Sequence, residues 1–257
     1  MLLAIDIGNT NIVLGLFDNE TLRQTWRLRS ERRSTPDELA LSVRALLASH
    51  GLEPESLTGI AVSSTVPSLL RAARAMLVDA FDGIPAVVVE PALDIGVRLA
   101  VDNPPEVGTD RVLNTLAAHA LFGGPCLVVD LGTSTNFDAV GPDGAYLGGA
   151  IAPGVELSLD ALTSRAAQLS RVTIQEPPAA IGRTTAQCLQ SGVIYGAAGQ
   201  IDGIARRIIA ELGGQVTAVV ATGGLAPLIL GNARVVTDHR ADLTLLGLRL
   251  AFARVRG

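Results

Sequence analysis

Short apolar runs separated by polar turn residues open the chain. Three such runs are LLAID at 2–6, NIVLGLFD at 11–18 and TLRQTWRLR at 21–29, and Asp18 and Asn19 mark the turn between the last two. Runs of this length that stop at turn residues are typical of β-strands. The pattern therefore predicts three successive strands along one edge of a mixed sheet.

The spacing of apolar residues then changes to that of a helix. Thr35 suits the N-cap, Pro36 the first helical position and Glu38 the partner in a capping box, and Gly51 follows the last turn. The apolar stripe of this helix consists of Leu39, Val43, Leu46 and Leu47. A strand at 59–64, a helix at 67–81 and a strand at 85–90 follow, which is a βαβ alternation. The irregular residues 91–108 are a candidate active-site loop.

The order of elements restarts in the second half of the chain. The segment PCLVVDLGTSTNFDAVGPDGAYLGGAI at 125–151 again predicts strand, acidic turn, strand, glycine-rich turn and strand. Asp130 and Gly132 follow Asp6 and Gly8 by the same 124 residues, close to half of the chain. This spacing indicates a duplicated unit, and the alternative is a chance match of two short D-x-G turns after buried strands.

The remaining segments predict further helices and strands. Helices are expected at 156–169 and 185–212, strands at 216–222 and 233–237, and a last helix from Asp242. We therefore expect two α/β lobes with a cleft between them. The N-terminal lobe is placed at 1–115 and the C-terminal lobe at 116–257.

Composition disfavours several classes of protein. Among the 257 residues 48% are hydrophobic, enough to bury a substantial core, and the net charge of -5 gives no general attraction to nucleic acid or anionic lipid. Cys126 and Cys188 form no CxxC pattern, and His50, His119 and His239 are widely spaced, so no zinc site or disulfide framework is expected. With no signal peptide and no run of about 18 apolar residues, we expect a cytoplasmic protein without a membrane partner.

The loops DIGNT and DLGTST are candidate phosphate sites. In the first, Gly8 permits a tight turn, the Asn9 and Thr10 side chains can donate to phosphate oxygens, and Asp6 can hold the magnesium of a nucleotide. The alternative is an ordinary hairpin in which Asn9 supplies a positive φ and Asp6 caps a turn. A P-loop, a GxGxxG motif after the first strand and the protein kinase signatures are all missing. Nucleotide chemistry would therefore use the two acidic loops.

A third cluster, NPPEVGTDRVLN at 103–114, joins an acid and a guanidinium at a predicted helix start. Asp110 is suited to accept the proton of an attacking hydroxyl, and Arg111 is suited to pair with a carboxylate or a phosphoryl group. The alternative is that Thr109 or Asp110 is an N-cap and Arg111 is a solvated residue of the first turn.

Two later turns have the same ambiguity. Thr184 and Thr185 precede a long predicted helix, where their hydroxyls suit either a cap or a polar ligand. The segment TGGLAP from Thr222 suits either a strand-to-helix turn or the close approach of an adenine to the backbone of Gly223 and Gly224.

Seven segments, in order along the chain, resemble the type III pantothenate kinases of the actin and hexokinase superfamily. They are DIGNTNIVLGLFD, SSTVP, DNPPEVGTDRVLN, DLGTSTNFD, GGAIAPG, IGRTTAQCLQSGVIYG and TGGLAP. The resemblance implies two ribonuclease-H-like lobes, with mixed sheets flanked by helices, and a homodimer. It also implies ATP-dependent phosphorylation of pantothenate to 4'-phosphopantothenate, the first step of coenzyme A biosynthesis.

The resemblance also implies roles for particular residues. The ATP-binding residues would be Asp6, Ile7, Gly8, Asn9, Thr10, Asn11, Ile12, Val13 and Thr133. The pantothenate-binding residues would be Gly108, Thr109, Asp110, Arg111 and Thr185. Asp110 would be the catalytic proton acceptor, Asp6 would act on the Mg2+ of ATP indirectly, and Asp130 would bind a monovalent cation, K+ or NH4+.

Two positions depart from the family pattern. Val101 replaces a Tyr that often lines the pantothenate pocket, and Asn136 replaces a Thr but keeps hydrogen-bonding capacity.

Two other functions would fit the same scaffold. One rival is a non-catalytic regulator or binding protein similar to the Bvg accessory factor branch, and the other is a kinase or phosphatase with a different substrate. The joint presence of Asp6, Asp110, Arg111 and Asp130 favours catalysis.

Overall fold

The computed structural model describes residues 1–166 and 172–256, which form two units. Unit 1 comprises Met1–Val97, Asp102–Ala117 and the segment from Leu243 onward, and unit 2 comprises Arg98–Val101 and Ala118–Asp242. The irregular residues 91–108 therefore contribute to both units. None of the helices in the described residues is long and apolar enough to cross a bilayer.

The helices and strands follow the predicted order closely. The strands are β1 (Leu2–Ile7), β2 (Asn11–Asp18), β3 (Thr21–Arg29), β4 (Gly59–Ser64), β5 (Ala86–Val89), β6 (Cys126–Leu131), β7 (Ser134–Val140), β8 (Tyr146–Pro153), β9 (Val219–Thr222) and β10 (Asp238–His239). The helices are α1 (Pro36–Ala48), α2 (Pro67–Ala80), α3 (Thr109–Phe122), α4 (Val155–Arg165), α5 (Thr185–Glu211), α6 (Ala226–Ile229) and α7 (Leu243–Arg256).

The sheet of unit 1 has the strand order β3-β2-β1-β4-β5, with β1 antiparallel to β2 and parallel to β4. The predicted capping box begins α1, because the Glu38 amide donates to the Thr35 hydroxyl and the Thr35 amide donates to the Glu38 carboxylate. Leu39, Val43 and Leu47 of α1 are buried in the core of this unit. The local sequence signals therefore place this helix correctly against the sheet.

Helix α7 belongs to unit 1. The sequence expectation instead placed all of residues 116–257 in the C-terminal lobe. A Cβ atom at Gly247 would overlap the Leu113 carbonyl of α3, and one at Gly59 would overlap the ring of Phe252. These two glycines allow α7 to approach α3 and β4 closely. The contacts join residues far apart in the chain, so a single boundary along the sequence does not describe them.

Unit 2 repeats the topology of unit 1. Its sheet has the order β10-β9-β6-β7-β8, with β6 antiparallel to β7 and parallel to β9. The two sheets therefore match the restart of elements that the sequence predicts. The two turns differ in length, because Ile7 pairs with Ile12 in unit 1 whereas Leu131 pairs with Thr135 in unit 2.

Two predicted elements of unit 2 differ from the structure. The strand expected at 233–237 is replaced by the short β10, because the Val235 amide donates to Asp202 on α5 rather than to a neighbouring strand. The helix expected at 156–169 ends at Arg165. The last residues of that prediction fall in 167–171 and lie outside the described residues.

Candidate active site

Asp6 and Ser63 lie opposite each other on the neighbouring parallel strands β1 and β4. The Ser63 hydroxyl donates to Asp6 Oδ1 at 2.7 Å. Ser63 is fully buried, whereas Asp6 is partly buried near the carboxyl end of β1. Asp6 is thus a strand residue held by a cross-strand hydrogen bond. Ser63 begins the SSTVP segment of the family resemblance, but no sequence signal assigned it a role.

The turn between β1 and β2 is tight, and hydrogen bonds from Ser30 hold it in place. The Gly8 amide donates to the Asn11 carbonyl at 2.9 Å, and the Ser30 hydroxyl and amide donate to the Gly8 and Thr10 carbonyls at 2.6 and 3.0 Å. Asn9 and Thr10 are exposed. Asn9 does not have a positive φ angle, since Asn19 is the non-glycine residue with one in the described chain. The turn therefore presents an amide and a hydroxyl side chain to solvent, as a phosphate site requires.

The GTDR segment, residues 108–111, forms the start of α3. The Gly108 carbonyl accepts from the Arg111 and Val112 amides, and Asp110 Oδ1 accepts from the Arg111 amide at 2.9 Å. A Cβ atom at Gly108 would lie 2.5 Å from Asp110 Oδ1. Thr109 is buried beside it. Only glycine at 108 leaves the Asp110 carboxylate in this position.

Asp6 and Asp110, both in unit 1, bind protons more tightly than an exposed aspartate does. Burial raises the pKa of Asp6 from 3.8 to about 6; the Ser63 hydrogen bond opposes this rise and the charge of Asp110 adds to it. Burial also raises the pKa of Asp110, and the Arg111 amide and guanidinium oppose that rise. The effect of Asp110 on Asp6 means that unit 1 brings these two acids close together. Perturbed acids of this kind are common at catalytic sites.

In unit 2, Asp130 is the penultimate residue of β6 and lies between two glycine-containing turns. It pairs with Thr222 on β9 and with Asn136 on β7. Gly223 has a φ angle of +94°, and a Cβ atom there would lie 2.7 Å from Asp130 Oδ1. Glycine at 223 therefore allows the backbone to approach the Asp130 carboxylate closely.

The rest of the second acidic loop is held by its neighbours. Thr133 is exposed, and Gly154 at the start of α4 packs directly against its carbonyl. The Ser134 hydroxyl donates to Asn136 Oδ1 at 3.0 Å, so Asn136 uses its hydrogen-bonding capacity as expected for this departure from the family pattern. Val101 is partly buried near Gly148 in the same unit.

Thr184 and Thr185 have different environments. The Thr184 hydroxyl accepts from the Gln187 amide at 3.2 Å and is the N-cap of α5. Gln187 Oε1 accepts from the Arg183 amide at 2.8 Å. Thr185 is the first residue of α5 and is exposed. The cap interpretation thus holds for Thr184, and Thr185 presents a side chain to solvent.

The predicted ATP-binding residues divide into exposed and buried groups. The side chains of Ile7 and Ile12 belong to the core of unit 1, so only their backbone groups are available to a ligand. Asn11 and Val13 are partly buried on β2. The structure places Asp6 to Val13 and Gly108 to Arg111 in unit 1, and it places Asp130, Thr133 and Thr185 in unit 2.

A family model described as type III pantothenate kinase matches residues 2–207 of this chain. The chain belongs to the type III pantothenate kinase family. The type III pantothenate kinase of Saccharopolyspora erythraea is 56% identical over 264 residues, covering 99% of this chain and 98% of that protein. The type III pantothenate kinase of Frankia alni is 52% identical over 254 residues, covering 99% of each chain.

Solved structures with low sequence identity share the fold of this type III pantothenate kinase family member. A protein described as a Baf family transcriptional activator from Campylobacter jejuni has a TM-score of 0.62 at 18% identity and 98% coverage of both chains. The ROK hexokinase of Thermus thermophilus has a TM-score of 0.52 at 15% identity and 99% coverage of both. These likenesses confirm the expected α/β fold class, with mixed sheets flanked by helices.

Proposed function

We propose that this chain transfers the γ-phosphoryl group of ATP to pantothenate, giving 4'-phosphopantothenate in the first step of coenzyme A biosynthesis. The observation that carries the proposal is the 56% identity to a type III pantothenate kinase over nearly the whole of both chains. The placement of Asp110 at the start of α3, against Gly108, is consistent with this chemistry. The substrate itself rests on the family.

Asp110 is the proposed proton acceptor. The primary hydroxyl oxygen of pantothenate attacks the γ-phosphorus, the bond to the bridging oxygen of ADP breaks, and the hydroxyl proton passes to Asp110. Burial raises the pKa of Asp110, which makes its carboxylate a stronger base than an exposed aspartate. Gly108, Thr109 and Arg111 lie on the same turn as Asp110 and are proposed to contact pantothenate.

Asp6 and the turn that follows it are proposed to bind the phosphates of MgATP. Within the described residues no group of three or more acidic, His or Cys side chains forms a metal cage. Magnesium is commonly held by one or two carboxylates together with substrate phosphates, and Asp6 is a carboxylate of this kind. Magnesium would neutralise phosphate charge when bound. Asp6 would hold the magnesium indirectly, and the Asn9 and Thr10 side chains would donate to phosphate oxygens.

Asp130 is proposed to bind K+ or NH4+. Support comes from the partly buried Asp130 carboxylate near the carboxyl end of β6, which is an oxygen ligand of the kind that binds such cations. Activity should then be high in potassium and low in sodium, and Asp130→Asn should remove the difference. Equal activity of the wild-type protein in both salts would contradict this role.

A cytoplasmic homodimer is the proposed form of the protein. The groove between α4 and α5 has a volume of about 360 Å³ and is lined mainly by apolar residues. Leu162 lines this groove and is 47% exposed, and Leu157 on the same helix is 51% exposed, so both are proposed to be covered by a second copy. Leu157→Glu should therefore give monomers in light scattering, and a dimeric variant would argue against this surface.

One coupled assay tests the proposed reaction. Release of ADP from MgATP is measured with pantothenate, with a panel of sugars and with acetate, in potassium and in sodium. Release with pantothenate alone supports the kinase, whereas release with a sugar would indicate a different kinase. A folded protein that releases no ADP with any acceptor would instead favour a regulator on the same scaffold.

A further inference from the structure

Arg32 contacts the turn between β1 and β2 through its side chain. Its Nη2 atom donates to Asn9 Oδ1 at 3.3 Å. Both side chains are exposed. Arg32 belongs to the short segment 30–34 that joins β3 to α1, and neither the motifs nor the family resemblance assigned it a role.

The backbone of this segment is fixed on two sides. Ser30 binds the turn through its hydroxyl and its amide, which donate to the Gly8 and Thr10 carbonyls. The hydroxyl of Ser68, in the first turn of α2, donates to the Arg32 carbonyl at 3.0 Å. The Arg32 side chain therefore starts from a defined position beside the turn.

The guanidinium of Arg32 has donors available for a ligand. A guanidinium carries five N–H donors, and the structure records one hydrogen bond from this one, to Asn9. Within residues 1–166 and 172–256 no carboxylate forms an ion pair with Arg32. Arginine binds phosphate through two parallel hydrogen bonds, which a lysine does not reproduce.

Resting on the proposed function, we propose that Arg32 binds a phosphate beyond the α-phosphate of the nucleotide at the DIGNT turn, with Asn9 as its positioning residue. The fixed positive charge offsets the negative charge of the phosphates during transfer. The chemical class of the ligand is a nucleoside diphosphate or triphosphate. A nucleoside monophosphate lacks the phosphate that this proposed contact requires.

Binding of MgADP and of AMP to the full-length protein, measured calorimetrically without pantothenate, tests this role. Arg32→Ala is expected to weaken MgADP binding about 10- to 100-fold, as loss of a charge-assisted hydrogen bond predicts. AMP binding should change less than about threefold, because the lost contact lies beyond its phosphate. Arg32→Lys should recover only part of the MgADP affinity. Arg33→Ala, the exposed neighbour, is the matched control and should bind MgADP like the wild type.

The role of Asn9 is tested by a double-mutant cycle. Asn9→Ala should weaken MgADP binding more in the wild-type background than in the Arg32→Ala background, because its positioning effect needs the arginine. Fully additive losses would contradict positioning by Asn9.

Three outcomes decide the proposal. Equal MgADP affinity of Arg32→Ala and wild type overturns it, and so does an equal loss for MgADP and AMP. A wild-type protein that binds no MgADP overturns the proposed function and the role of Arg32 together. Thermal unfolding checks the fold of each variant, and Arg32→Lys provides the comparison if the alanine variant is unfolded.

Discussion

The Ser63 hydroxyl holds Asp6 from the neighbouring strand, 2.7 Å from Asp6 Oδ1. A hydrogen bond to a carboxylate stabilises its charged form and lowers its pKa. Burial and the Asp110 charge act in the opposite direction and prevail, so the pKa of Asp6 is about 6. The charge of Asp6 near neutral pH therefore depends on this contact.

Removal of the Ser63 hydroxyl should shift the pH dependence of catalysis. In Ser63→Ala the pKa of Asp6 should rise further, so the acid limb of kcat/KM for MgATP should move upward by about one pH unit. The profile of kcat/KM is the suitable measurement because it reports the free enzyme. Ser49→Ala, at an exposed site after α1, serves as the control. Superimposable acid limbs for Ser63→Ala and wild type would contradict the role of this hydrogen bond.

Asp6 should make the folded protein less stable as pH rises. Its folded pKa of about 6 lies above the ordinary value of 3.8, so the folded state binds the proton more tightly. The free energy of unfolding should therefore fall as pH rises between these two values. Asp6→Asn should be more stable than wild type at pH about 7.5, by at most about 3 kcal/mol, and should lose this advantage near pH about 4.

Urea unfolding at the two pH values measures this effect. Asp82→Asn, an exposed substitution of the same kind, should leave stability nearly unchanged. An Asp6→Asn protein that is no more stable than wild type at the higher pH would show that burial of the Asp6 charge is not costly.

Asp110→Asn should separate chemistry from nucleotide binding. The substitution keeps the size of the side chain but removes its basicity, so kcat should fall by a factor of about 100 or more. MgADP affinity should stay close to that of wild type, since Asp110 is proposed to act on the acceptor hydroxyl. Near-normal turnover in a folded variant would exclude Asp110 as the base.

Gly108→Ala should impair the same step without removing the acid. The added Cβ would lie 2.5 Å from Asp110 Oδ1, so the carboxylate must move. We expect a fall in kcat of about tenfold or more, because small displacements of a reacting group are costly. Gly199→Ala is the control, since nothing lies within 4 Å of its added Cβ and alanine favours a helix. Unchanged kcat in Gly108→Ala would show that the carboxylate tolerates displacement.

Local signals in the sequence account for most elements of the fold. The capping box at Thr35 and Glu38 formed as predicted because it depends on residues three positions apart. The repeat from Asp6 to Asp130 correctly predicted that the succession of strands and turns restarts, and the structure adds that the two sheets have the same strand order. The wrong prediction of a strand at 233–237 shows the limit of such signals. The Val235 amide there donates to Asp202, which is distant in the sequence.

The sequence by itself determined the strands that end in Asp6 and Asp130, the helix that begins at the GTDR segment, and the family. Only the tertiary structure decided that Ser63 binds Asp6, that Arg32 contacts Asn9, and that α7 packs on unit 1. The reason is physical: apolar spacing and turn residues act between near neighbours in the chain. Hydrogen bonds and desolvation at the acids depend on residues that only folding brings together.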